Sequence, residues 1–528
     1  MKLFAASIML LCMLLPQAAG AVPAVSSNPG AVERSVPPRV TGPLPDFKLP
    51  ELREFHLDNG IPVYTAVQPE LPYESICILF PQAGAKNDPV GKYGLYCYVN
   101  NLLAKGTKTR GCDELEKEFL SLGAQFSSYG GSWNDIDWDV SGGRVDVVRL
   151  EHLPEIIRLF ADAVLQPAFS QQELERLKSS RWGILTGLRT SPLFLGEAAF
   201  NRFVFGEDSR YGTSLRADTS AQEATITRED ILAFYKKHYT PKQAFFLCRG
   251  PLELDELAKH LNKHFGGWQD SIDSESVQKE IPSESLKKCA TAAFNTEPRY
   301  IPVMAPGAST LMDGRILIVD RPEAKSARIW VGCRGISAAD PDLLAIQAMN
   351  TILGDCGVGD HLNANLRESK GYSYGVRSTF DCHLDRGAFK VTGAIQIDKA
   401  IPAVQEIFKE MAVMRQPLPE AELRKYLTYM AYSYPRKFDG SHLYLDSLVK
   451  MLLGYYTKEY VDTYVSKVLK LAPEDIQKAA ERTLDTDKMI VVIVGDAKAL
   501  EPQLKEAGWR AQVVTVDEVL GPEVQPER

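Results

Sequence analysis

TREDILAFYKKHYTPKQAFFLCRGPLELDELAKHLNKHFGGW, residues 227–268, reads as helix, strand, helix and stop. Glu229 and Asp230 make an acidic first turn, and Ile231, Phe234 and Tyr235 recur at helical spacing. KQAFFLCRG is a short apolar run bounded by turn signals, as expected of a buried strand. A second helix follows and ends at Gly267-Trp268. The same order returns in APEDIQKAAERTLDTDKMIVVIVGDAKALEPQLKEAGW, residues 472–509, with KMIVVIVGD as its strand.

The repeat extends upstream. DNGIPVYTAVQPELPYESICILFPQAGAKND starts at Asp58, and DGRILIVDRPEAKSARIWVGCRGISAADPD starts at Asp313. Both read as strand, turn, strand and an acidic loop before a helix. The offsets are 255 residues from Asp58 to Asp313 and 241 from Trp268 to Trp509. Similar elements in the same order at similar offsets mark a duplication. Helices and strands do not alternate as clean βαβ units, so the expected class is α+β: two homologous halves, each a mixed sheet covered by helices.

The halves are expected at 51–269 and 311–515. Residues 270–310 are polar and irregular and read as a linker; 516–528 read as a tail. Lys2, the apolar run LFAASIMLLCMLL and the small residues of PQAAGAV read as a signal peptide, 1–21, cut after Gly20 or Ala21. Residues 22–50, rich in Pro, Ser, Gly and Val, read as a flexible leader. The mature chain is then expected to be exported to the periplasm, soluble and without a membrane span. Net charge is −8 with no long basic run, which argues against a nucleic-acid partner. The eight cysteines after the signal contain no CxxC, and their spacing fixes no disulfide pairing.

One helix carries an unexpected set of polar groups. In GLYCYVNNLLAKGT, residues 94–107, Cys97, Asn100 and Asn101 share a helix with Leu95, Val99 and Leu102. This segment resembles the zinc helix of the pitrilysin/insulinase peptidases (the inverzincins), G-x-A-H-F-L-E-H-M-x-F-x-G-T. The resemblance runs on through TRGCDELEKEFLSLGAQF and covers about residues 50–510. It implies the clamshell fold of pitrilysin and the mitochondrial processing peptidase. In H-x-x-E-H the two imidazoles, four residues apart, reach one zinc from one helix face, and the glutamate polarises the zinc-bound water. Here Cys97 and Asn101 stand at the His positions and Asn100 at the base. The later glutamate ligand aligns with Gly187 in LKSSRWGILTGLRT. All four are altered, so no catalytic residue and no metal site is expected in this half. His260 and His264 lie four apart but lack a third ligand and read as a solvated helix face. The two amides either leave a polar, wet pocket or bond to nearby backbone.

The second half keeps more of the pattern. ILGDCGVGDHLNANLRESKGYSYGVRSTF, residues 352–380, is a Gly-rich loop, a helix with a Lys370-Gly371 stop, and a strand. It resembles the family's L-R-E-x-x-G-x-x-Y segment. That resemblance makes Arg367 and Tyr374 substrate contacts and the loop bearing Gly354, Gly357 and Gly359 a capture element. An Arg fork suits carbonyl or carboxylate oxygens, and a Tyr hydroxyl suits an oxyanion. The residues alone leave open that Arg367 pairs with Glu368 or Asp360 and that Tyr374 is core.

The family includes heterodimers in which one subunit bears H-x-x-E-H and the other supplies the Arg/Tyr pair. The resemblance therefore implies a catalytically incomplete, substrate-binding subunit of an exported zinc endopeptidase acting on unfolded peptides. Zinc would sit in an H-x-x-E-H-bearing homologous partner, and this chain would bind no cofactor. The alternative is a stand-alone peptide-binding or scaffold protein.

Overall fold

In the computed structural model the described residues are 48–130, 140–206, 210–213, 225–269, 314–384, 387–438 and 441–521. The expected signal peptide, nearly all of the leader and all of the linker lie outside them.

Two six-stranded sheets form the frame. The first comprises β1 (Arg53–His56), β2 (Pro62–Val67), β3 (Glu74–Phe80), β4 (Ala124–Gly130), β5 (Ser141–Val147) and β6 (Phe245–Gly250), in the order β1-β2-β6-β3-β5-β4. The second comprises β7 (Ile316–Asp320), β8 (Ser326–Arg334), β9 (Ser373–Asp381), β10 (Ala388–Gln396), β11 (Ile490–Gly495) and β12 (Gln512–Val514), in the order β12-β7-β11-β8-β10-β9. Five strands correspond one to one. In both sheets the pair β2/β6 or β7/β11 is parallel, and the next three pairings are antiparallel. The sixth strand differs: β1 joins β2 antiparallel, whereas β12 joins β7 in parallel. The duplication read from sequence is thus a repeated sheet with one unlike edge.

The helices named below are α1 (Leu95–Leu102), α2 (Cys112–Ser121), α3 (Leu153–Leu165), α4 (Gln171–Thr190), α5 (Pro192–Phe205), α6 (Arg228–His238) and α7 (Leu254–Phe265). In the second half they are α8 (Leu343–Asn350), α9 (Ala400–Met414), α10 (Glu420–Ser433), α11 (Ser441–Leu452), α12 (Lys458–Val468), α13 (Pro473–Thr483), α14 (Ala497–Ala507) and α15 (Val516–Leu520). Their starts follow local chemistry. Ser170 caps α4 through the Glu173 amide, and Thr227 and Asp230 form a reciprocal capping box on α6. Asp496 caps α14, and Gly508 at φ 70° ends it.

The central strands of both sheets are buried on both faces, and successive side chains alternate between them. Ile76, Ile78 and Phe80 of β3 pack into the cluster built from α1, α3, α6 and α7. Cys77 and Leu79 point the other way, into the cluster that holds Tyr444, Leu445 and Leu448 of α11. In the second sheet Ile329 and Val331 pack on their own half's helices. Trp330 faces Leu195, Ala199 and Phe200 of α5.

Each half therefore lends a helix to the other half's sheet. Tyr129 Oη donates to Asp446 Oδ1 at 2.7 Å, and the Arg249 guanidinium lies 4.1 Å from the Tyr444 ring centroid. On the opposite side Trp330 Nε1 donates to Glu197 Oε2 at 2.9 Å, and Lys390 Nζ sits 2.7 Å from both Glu197 and Asp381. The two sheets lie on either side of residues 270–313, but α5 and α11 do not respect that boundary. Nor does the tail begin at 516: α15 buries Val519 and Leu520 against α5.

One buried acid sets a pH dependence. Glu74, at the start of β3, is fully buried; its Oε2 accepts the Leu252 amide at 3.2 Å, and its Oε1 has no partner. Burial raises its carboxyl from 4.5 to about 8, against the Leu252 hydrogen bond. Between those values the folded chain holds a proton that the unfolded chain releases, so stability falls as pH rises. The slope is ~1.4 kcal/mol per pH unit for one group. Glu74→Gln is expected to remove most of that slope, checked by urea midpoints at pH 5 and pH 8 in both proteins. An unchanged slope would exclude Glu74 as its source.

Candidate functional site

Helix α1 is held in the first half by its polar residues. Asp88 receives the Gly94 amide at 2.7 Å and the Tyr96 amide at 2.8 Å, closing the helix N-terminus. Cys97 is buried on the helix, and Asn100 is 0% exposed. Asn100 Nδ2 donates to the carbonyls of Tyr129 at 3.0 Å and Gly130 at 2.9 Å. Its Oδ1 accepts the Gly142 amide at 3.0 Å and the Tyr239 hydroxyl at 3.4 Å. Four hydrogen bonds thus tie α1 to the end of β4, the start of β5 and the residue after α6. Two carbonyls on one side and an amide on the other fix which way the side-chain amide points. Asn101 Nδ2 donates to the Cys97 carbonyl at 2.8 Å, one helical turn back.

A wet pocket is therefore not what the amides make. They bond to backbone, and Asn100 is dry. Gly187 stands on an exposed turn of α4, with open space where a side chain would begin. The residues present do not fit a zinc ion. Asn100 has spent its amide on the protein, Asn101 donates to backbone, Gly187 offers no donor atom, and one thiol remains. Among the described residues no group of three or more His, Cys, Asp and Glu side chains is gathered for a metal.

In the second half, α8 runs into a π-helical turn, Thr351–Asp355, followed by the Gly-rich loop. Gly354, grouped with that loop by sequence, is buried inside the turn. A Cβ there would fall 2.6 Å from Leu362 Cδ1 and 2.9 Å from Ser378 Oγ, so Gly354 is a packing position. Gly357 and Gly359 do lie in the loop, with φ of 83° and 70°, either side of Val358, which is 73% exposed. Asp360 closes the loop: it accepts the Gly357 amide at 2.6 Å and the Asn363 amide and side chain at 2.9 Å. Tyr426 Oη of α10 donates to the Gly359 carbonyl at 2.5 Å.

A short helical turn, His361–Asn363, continues as the π-helical turn Ala364–Ser369, which carries Arg367. After the Lys370-Gly371 stop, β9 begins and presents Tyr374. Here the chain brings two expected residues together. The Arg367 guanidinium lies 5.1 Å from the Tyr374 ring centroid. Both are at the surface, Tyr374 at 89%. Among the described residues no carboxylate pairs with Arg367, Asp360 is committed to the loop, and Tyr374 is not core. A guanidinium stacked on a ring keeps its N–H edge free for an acceptor.

Several contributors were not singled out from sequence. Tyr239 and the backbone of Tyr129 and Gly130 complete the Asn100 network. His361 lies between Glu410 of α9 and Glu422 of α10, 49 and 61 residues downstream. No short-range pattern could have paired them.

Comparison with known proteins gives a consistent set. Residues 72–182 match the model of Insulinase (Peptidase family M16), and residues 225–430 match that of the Peptidase M16 inactive domain. The chain is 22% identical to an uncharacterized zinc protease of Rickettsia bellii, over 70% of this chain and 79% of that protein. It is 20% identical to the human mitochondrial-processing peptidase subunit beta, over 87% of each chain. The crystal structure of a peptidase M16 inactive domain from Pseudomonas fluorescens superposes with a TM-score of 0.69 at 18% identity, covering 85% of this chain and 98% of that one. The fold is thus the α+β, two-half fold of that structure.

Proposed function

Because this chain belongs to the pitrilysin/insulinase (M16) peptidase family and is a catalytically incomplete member of it, we propose that it binds substrate for a zinc-bearing partner. It would be the non-zinc subunit of an exported heterodimeric endopeptidase acting on unfolded peptides. Zinc would belong to an H-x-x-E-H-bearing homologue, and Lys2 with the apolar run after it would direct export to the periplasm. The observation that carries this reading is the exposed Arg367–Tyr374 pair, 5.1 Å from guanidinium to ring centroid, in a chain whose Asn100 and Asn101 amides are bonded to backbone.

The chemistry required is modest. Arg367 would take a peptide carbonyl or carboxylate through its free N–H edge, with Tyr374 fixing the guanidinium plane and offering its hydroxyl. Val358 and the bare backbone around Gly357 and Gly359 would flank the peptide. No described helix is long and apolar enough to cross a membrane.

Arg367→Ala and Tyr374→Ala are each expected to weaken binding of a fluorescein-labelled unfolded peptide roughly 10-fold, a ~1.4 kcal/mol loss. Thermal midpoints should barely move, since surface substitutions rarely exceed about 0.5 kcal/mol. Fluorescence anisotropy measures the first and calorimetry the second. Unchanged affinity in both variants would remove the site. Affinity capture of the tagged protein from the cell envelope tests the partner. A stoichiometric H-x-x-E-H protein with zinc supports the heterodimer, whereas recovery alone with intact peptide binding points to a stand-alone binder.

A further inference from the structure

His361 opens the turn that leads to Arg367, two residues after Gly359, and is half-buried. Its Nε2 lies 2.7 Å from Glu422 Oε1, and its Nδ1 lies 3.4 Å from Glu410 Oε2. The imidazole and Glu410 are each 16% exposed, so solvent screens this pair less than a surface pair. We infer that His361 gates the proposed peptide site by pH. Protonated, it ties the turn bearing Arg367 to α9 and α10; neutral, it lets one of those helices go. The inference rests on the reading of Arg367 and Tyr374 as peptide contacts.

The two protonation states of His361 differ in donor count. An imidazolium has two N–H donors, one for each carboxylate. Neutral imidazole has one donor and one lone pair, so the second carboxylate would face a lone pair. Both glutamates are also linked to other parts of the site. Glu410 Oε1 also accepts Asn365 Nδ2 at 2.5 Å, two residues before Arg367. Glu422 shares α10 with Tyr426, which holds the Gly359 carbonyl. The clamp thus joins both parts of the site, the Gly-rich loop and the turn carrying Arg367.

Most other charges near the clamp have partners of their own. On α9, Glu406 binds Lys409 and Asn365 and lies 3.7 Å from Lys370. Next to His361, Asp360 is spent on the loop amides, and Asp355 in the preceding turn pairs with Arg377 of β9 at 2.7 Å. Lys425 of α10 lies over the Tyr426 ring at 4.7 Å. Arg367 stacks on Tyr374, and Glu368 beside it is exposed. The hydrogen bond to Glu410, with help from Glu422, holds the His361 imidazole above its ordinary 6.5, against burial. The sign follows: the clamp is complete below the unfolded value and is lost as pH rises through the higher folded one.

The test titrates peptide affinity and structure separately. Anisotropy with the labelled unfolded peptide, from pH 5.5 to 9, is expected to show wild-type affinity falling roughly 10-fold as pH rises. His361→Arg, a permanent cation, should flatten the profile at the tight end. His361→Gln should flatten it at the weak end. Glu422→Gln should move the fall to lower pH. Amide exchange of residues 357–369, corrected for its intrinsic pH dependence and read without peptide, should lose protection over the same range in wild type and not in His361→Arg. Exchange independent of pH in wild type overturns the gate. Absence of peptide binding at every pH, with exchange still titrating, overturns the site reading instead.

Discussion

Gly196→Ala should cost the protein at least about 3 kcal/mol, although alanine is the better helix former by ~1 kcal/mol. Gly196 lies in the middle of α5, where a Cβ would fall 1.9 Å from Trp330 Cζ3 and 2.1 Å from Cη2. The indole cannot swing aside. It is 0% exposed, its Nε1 is bonded to Glu197, and Arg328 lies 5.9 Å from its ring centroid. Overpacking of a closed core ordinarily costs about 1–3 kcal/mol, and here the clash is with a rigid ring. The consequence reaches further than one contact. Leu195, Ala199 and Phe200 cover the second sheet, so lifting α5 uncovers Trp330, Val492 and Val494. Urea denaturation measures the loss. Adding Trp330→Leu to Gly196→Ala should recover part of it by giving the new methyl room. If the single variant is as stable as wild type, α5 is not seated as described.

Asn100→Glu, which puts an acid where the resemblance to the zinc helix aligns the base, should destabilise by about 3–5 kcal/mol. A carboxylate cannot donate, yet Asn100 donates to the carbonyls of Tyr129 and Gly130. Oxygen would face oxygen in a site with no access to water, and the new acid would have to keep its proton. Asn101→Ala gives the contrasting case. It gives up the bond to the Cys97 carbonyl on a half-buried face, for about 1 kcal/mol. Thermal and urea midpoints of the two variants separate these outcomes. A fully stable Asn100→Glu protein would mean that α1 can still accommodate the motif it lacks. A large loss would mean that the helix acts as a strut, tying the end of β4 to the start of β5.

The same contrast marks how far the sequence could be read. The strand-helix runs ending at Trp268 and Trp509 were legible because a buried strand is a short apolar run and a helix carries a 3.6-residue period. Arg367 and Tyr374 were legible as a pair because the Lys370-Gly371 stop forces the chain to turn back between them. Asn100 could not be decided as wet or dry, since its partners include Tyr129 and Tyr239, 29 and 139 residues away. Gly354 reads as part of the Gly-rich loop because glycine has no side chain to signal burial.

What the sequence determined alone was the duplication, the fold class and the family, because these rest on local periodicity and residue identity. Tertiary structure decided which surfaces meet. Ile78 and Leu79 are adjacent and both apolar, yet one packs on its own half's helices and the other on α11. Likewise His361 is an ordinary histidine until α9 and α10 bring Glu410 and Glu422 to its two nitrogens. Apolar character says that a face must be covered, and a titratable ring says that it can carry charge. Only the long-range packing of the chain fixes what covers the one and what stabilises the other.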